Sequence, residues 1–211
     1  MLVRFVASLA AAGLCAAALT AAQHPVHEGV AGGGAAVQQM TDQKKIQSAM
    51  SAAPPQIAKA ATIMDHPAKD GDKPRQLRAG TNGWVCFPST PPSGGASGDD
   101  PMCLDREWQK WADAWAAKKP PAITSTGIAY MLQGDRGASN TDPYATAPTA
   151  TNQWVTTPAH IMVLLPDPKM LEAYPTDPKA GGPFVMWKGT PYAHVMVPVG
   201  ERPAQRQVAG K

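Results

Sequence analysis

Two short runs repeat one pattern: Ala159-His160-Ile161-Met162-Val163 and Ala193-His194-Val195-Met196-Val197. On a β-strand, side chains two apart share a face, so each run sets an imidazole beside a thioether. Imidazole with thioether is a soft donor set suited to Cu(I), and if the strands pair, the candidate metal ligands are His160, Met162, His194 and Met196. Met64-Asp65-His66 sets a third Met and His two apart. The same histidines would serve as general acid or base in a hydrolase-like enzyme if a carboxylate oriented them, and Asp135 or Asp142, near Gly134 and Gly137, would supply it. Asn140 lies in Ser139-Asn140-Thr141-Asp142-Pro143, which reads either as a turn or as the polar corner of a ligand site. The candidate ligand-binding residues are therefore His160, His194, Asp135, Asp142 and Asn140. Against a site stands a plainer reading. Ile161, Val163, Val195 and Val197 alternate with these residues as in strands buried on both faces, and methionine is a flexible core filler.

These side chains need strands to hold them. Short apolar runs at 127–132, 154–157, 160–165, 184–187 and 192–199, separated by Gly, Pro, Asn and Asp, predict them, and Lys188-Gly189-Thr190-Pro191 joins the last two as a hairpin. A further hairpin is expected where 77–79 and 84–87 flank Gly80-Thr81-Asn82-Gly83, because Asn-Gly tolerates the positive φ of a tight turn. Thr41 can cap a helix running to about Ala53, where Pro54-Pro55 interrupts it; a second helix from Pro55 would carry Ile57, Ala61 and Met64 on one face. The strongest helix starts at Asp105 and ends at Lys118-Lys119 before Pro120-Pro121. Its Trp108, Trp111 and Trp115, extended upward by Leu104, form one apolar stripe, which reads as core packing rather than as a platform for flat ligands.

The chain begins with a single charge at Arg4, an uncharged Ala- and Leu-rich run, and small residues Thr20-Ala21-Ala22, the three-part pattern of a signal peptide over 1–22. Export to a periplasm or medium is expected, and with it a disulfide between Cys86 and Cys103, since Cys15 would leave with the signal. Residues 23–41 read as a flexible Gly/Ala-rich linker, 42–200 as one domain without a transmembrane segment, and 201–211 as a disordered tail. The chain has 211 residues, 44% hydrophobic and 17% charged, with 22 prolines and a net charge of +3. That balance excludes a coiled coil, a wholly disordered chain and a dedicated nucleic-acid binder. No GxSxG elbow, HExxH helix, phosphate loop, GxGxxG turn or zinc-type cysteine spacing occurs.

Gly80-Thr81-Asn82-Gly83-Trp84-Val85-Cys86, Asp100-Pro101-Met102-Cys103-Leu104-Asp105, Tyr130-Met131-Leu132, Ser139-Asn140-Thr141-Asp142-Pro143 and Val185-Met186-Trp187-Lys188-Gly189-Thr190-Pro191-Tyr192 together resemble an uncharacterised family of exported bacterial proteins, over about residues 46–199. The resemblance implies bacterial export and these domain limits, and no activity. The expected fold is α+β, with N-terminal helices and the Trp-rich helix packed on a mainly antiparallel sheet. The expected function is non-enzymatic binding of a small molecule, or of an envelope component, with no cofactor unless the His-x-Met strands hold copper.

Overall fold

Strict alternation along the predicted strands sorts their side chains onto two faces of one sheet. The computed structural model describes residues 40–69, 72–90 and 99–200; the signal segment, the linker through residue 39, positions 91–98 of the Pro-rich loop and the tail from 201 lie outside the described residues. The elements in order are α1 (Asp42–Met50), α2 (Pro55–Ala58), β1 (Thr62–Met64), β2 (Gln76–Arg78), β3 (Val85–Phe87), β4 (Met102–Leu104), α3 (Arg106–Ala116), β5 (Gly127–Met131), β6 (Ala138–Ser139), β7 (Trp154–Val155), β8 (His160–Leu164), a 3-10 turn (Pro168–Ala173), β9 (Phe184–Met186) and β10 (His194–Pro198). Eight strands form one mixed sheet in the order β2-β1-β3-β4-β5-β8-β10-β9, in which β1 and β3 run parallel and the other neighbours antiparallel. Helices with a large sheet make the chain α+β. No described helix is long and apolar enough to cross a membrane.

Register decides which residues share a face. Met131 pairs with His160, Ala129 with Met162, Met162 with Met196 and His194 with Met186, so all of these point to one side. On that side they join Leu104, Leu164, Phe184 and the tryptophans of α3 in one apolar cluster. The opposite side is covered in two places. Ala49, Ala52 and Ala53, from α1 and the turn after it, meet Ile63, Cys86 and Cys103; Leu171 of the 3-10 turn meets Val185 and Val195. The central strands are thus covered on both faces, which is why β5, β8, β9 and β10 are mostly apolar. Cys86 and Cys103 are register partners on β3 and β4 and form the disulfide.

Two expectations fail here. The second helix does not reach Met64: α2 stops at Ala58, and Thr62–Met64 is a strand. Helical spacing at Ile57, Ala61 and Met64 is overridden because the Thr62 N–H donates to Trp84 O at 2.9 Å and Ile63 pairs with both Arg78 and Cys86. The hairpin across Gly80-Thr81-Asn82-Gly83 does not form either, since β1 lies between β2 and β3. The loop's polar groups are engaged elsewhere. Thr81 N–H and Asn82 N–H donate to Ala60 O, Asn82 Nδ2 donates to Ile57 O, and Asn82 Oδ1 accepts from Trp84 N. Leu104 lies on β4 rather than on the helix, and β4, β6 and the 3-10 turn are further elements that the apolar runs do not announce, whereas β7 falls within the run at 154–157.

Candidate functional site

β8 and β10 are neighbours and place His160, Met162, His194 and Met196 on one face. Met162 and Met196 face each other directly, but His160 is level with Pro198, four residues along β10 from His194. At about 3.3 Å per residue the two imidazoles are rooted roughly 13 Å apart along the strands, whereas one ion would need both within about 2 Å. Among the described residues, no group of three or more His, Cys, Asp or Glu side chains gathers as metal ligands would.

The two histidines share one local geometry. Nδ1 of His160 donates to Pro158 O at 2.6 Å and Nδ1 of His194 donates to Tyr192 O at 3.0 Å. A carbonyl only accepts, so both rings carry a proton on Nδ1. Both are buried, with 0% and 2% of their surface exposed.

Their surroundings then diverge. Asp135, on the loop after β5, lies beside His160 and interacts with it electrostatically; burial pushes the Asp135 carboxyl above its ordinary range, opposed by His160 and by hydrogen bonds from the N–H groups of Thr157 and Gly137. A carboxylate does therefore meet one of the histidines, but His160 has no surface through which a substrate could reach it. The next residue, Arg136, pairs with Asp100 at 2.7 Å and donates to Thr90, tying this loop to the residues that flank the Pro-rich segment.

His194 is enclosed by aromatic rings. Trp108, Trp111 and Trp187 stand nearly perpendicular to it, with centroids 5.1, 5.8 and 5.1 Å away. Its Nε2 has no hydrogen-bond partner, nor do Nε1 of Trp108 and Nε1 of Trp111, all three buried. Desolvation lowers the His194 pKa to about 4, so the ring is neutral at ordinary pH. Trp111 also belongs to a ladder of near-parallel rings, Trp187, Trp111, Trp115 and Tyr144, spaced 5.6 to 6.5 Å. At its outer end the Tyr144 hydroxyl donates to that of Tyr192 at 2.8 Å.

Trp187 holds its place at some cost. Its φ is +58°, a left-handed conformation that a bulky residue rarely adopts. Strand alternation would send it to the face opposite Met186. The left-handed turn ends β9 instead, and the ring is anchored where Nε1 donates to Ser139 O at 2.6 Å and N–H donates to Asn140 O at 2.9 Å. Asn140 thus acts through its backbone, while its buried Nδ2 donates to Thr176 O. Asp142 is exposed and its carboxylate closes a local turn by accepting from Tyr144 N. Asp135 and Asn140 therefore belong to the packing behind the two histidines, and Asp142 to the surface.

A cleft enclosing about 170 Å³ opens beside the His194 box. Trp111 contributes to it with Leu164, Leu171, Thr190 and Ala193, under a rim of prolines that includes Pro166 and Pro191. Leu164 pairs across the sheet with His194 by continuation of the β8–β10 register, and Ala193 precedes His194. No protein-family model, curated protein or solved structure matches the chain.

Proposed function

We propose that this is an exported, non-enzymatic binding protein for a small uncharged ring compound that seats in the cleft over Trp111. The observation that carries the reading is the lining of the cleft: Trp111 stands as an aromatic wall among Leu164, Leu171 and the prolines. An apolar cavity of about 150 Å³ is enough for benzene, so the volume suits one five- or six-membered ring. The walls are aliphatic and proline-rich with Thr190 as a polar contact, which favours a neutral ligand over an ion. Export rests on the N-terminal signal pattern and the paired cysteines.

The test is a panel of neutral cyclic compounds, titrated against tryptophan fluorescence and checked by calorimetry. Trp111→Leu removes the aromatic wall and should weaken ring ligands five- to tenfold, the worth of about 1 kcal/mol. Leu171→Trp should abolish binding by filling the cleft. Equal binding of every ring to wild type and Leu171→Trp would defeat the reading.

A further inference from the structure

The cross-strand register gives each histidine the same three-residue setting. His160 has Met162 two residues along its own strand and Met131 directly opposite on β5; His194 has Met196 two along and Met186 directly opposite on β9. Opposed Cβ atoms lie about 5 Å apart and same-face neighbours on one strand about 7 Å, distances that a methionine side chain is long enough to span. The two settings differ in what else meets the ring. His160 interacts electrostatically with Asp135, whereas the Nε2 of His194 is buried and unpartnered in a ring surrounded by indoles.

We propose that His194, Met186 and Met196 form a site for a soft monovalent cation, Cu(I) or its surrogate Ag(I). The donors are one neutral imidazole nitrogen and two thioethers, a set that prefers such ions to Zn(II) or any hard cation. Nδ1–H of His194 is held by Tyr192 O, which fixes the tautomer and aims Nε2 away from the backbone, as the outer hydrogen bond does for ligating histidines generally. With no carboxylate among the donors, the site holds one unit of positive charge in an apolar shell, and the indole faces around the ring stabilise it there. The strained backbone of Trp187 brings one of those indoles over the imidazole. The cleft lined by Trp111 and by Ala193, the residue before His194, lies beside it. This site is independent of whether the cleft itself takes an organic ligand.

The experiment uses the full chain with its disulfide intact and Cys15→Ser, so that no thiol competes. Cu(I), supplied as a colourless chelate in competition with a chromogenic chelator, and Ag(I), followed by native mass spectrometry, should each load one ion per chain; Zn(II) should not load. Met186→Leu changes the volume little and preserves packing, yet should weaken Cu(I) at least tenfold. Met131→Leu, the matching change beside His160, should leave affinity unchanged. A ¹⁵N spectrum should show the His194 Nε2 resonance moving on Ag(I) addition, with His160 static. Failure of the wild type to take up either ion, equal affinity in Met186→Leu, or a shift at His160 in place of His194 would each overturn the proposal.

Discussion

His194 is neutral because three indoles and the sheet exclude water from it, and this has a consequence for stability. Burial holds its pKa in the folded protein at about 4, against 6.5 for an ordinary histidine. Between those values the unfolded chain takes up a proton that the folded one refuses. The stability is therefore full above about pH 6.5 and is lost as pH falls toward 4, by about 3 kcal/mol in all. Asp135, raised by burial, contributes in the opposite sense, so the comparison must isolate His194. Urea unfolding of chelator-treated wild type and His194→Gln at pH 7 and 4.5 does so, because Asp135 is common to both. The wild type should lose roughly 2 kcal/mol more than the variant over that interval; parallel losses would mean that the ring is not desolvated in solution.

Among the elements, α3 is the most completely written in its own sequence. Asp105 caps it, its Oδ1 accepting from Trp108 N at 2.9 Å, and the tryptophan spacing turns one face to the sheet. The same carboxylate accepts from Ile128 N through Oδ2, which fastens the helix to β5. Asp105→Ala should thus cost about 3 kcal/mol, roughly 1 for the cap and the remainder for the orphaned strand N–H. Asp105→Asn keeps one acceptor oxygen for the cap but sets an NH2 against Ile128 N–H, so it should recover only the cap's share of about 1 kcal/mol, as thermal denaturation of both variants will show. Local signals of this kind made α1, α3 and the alternating strands legible. What was not legible depended on partners distant in the chain. Ala61 to Met64 fit a helix until Trp84 and Arg78 supply strand partners, and Asn82 fits a tight turn until Ile57 O engages its side chain. The site divides the same way. The repeated His-x-Met pairs are visible in the letters, but Met186 enters only through the register of β9 with β10, and the ring of Trp187 through a backbone angle.

At the scale of the whole molecule, one sheet serves three apolar clusters, and the disulfide sits in the cluster farthest from His194 in strand order. β4 and β5 carry the ladder across from that end to the other, Cys103 pairing with Tyr130 and Leu104 with Ala129. A continuous ladder should make the clusters unfold together. The bridge between Cys86 and Cys103, 17 positions apart, restrains the unfolded chain and is worth about 3 kcal/mol on the loop-entropy argument. Cys86→Ala/Cys103→Ala removes it from the α1 end, while Trp108, Trp111 and Trp187 report from the other once Trp84, which packs beside the disulfide, is replaced by Phe in both proteins. Urea midpoints read by tryptophan emission and by far-ultraviolet circular dichroism should fall together by that amount, in a single transition. If the tryptophan midpoint stayed in place while the dichroism split into two steps, the sheet would not be the cooperative unit that its register implies.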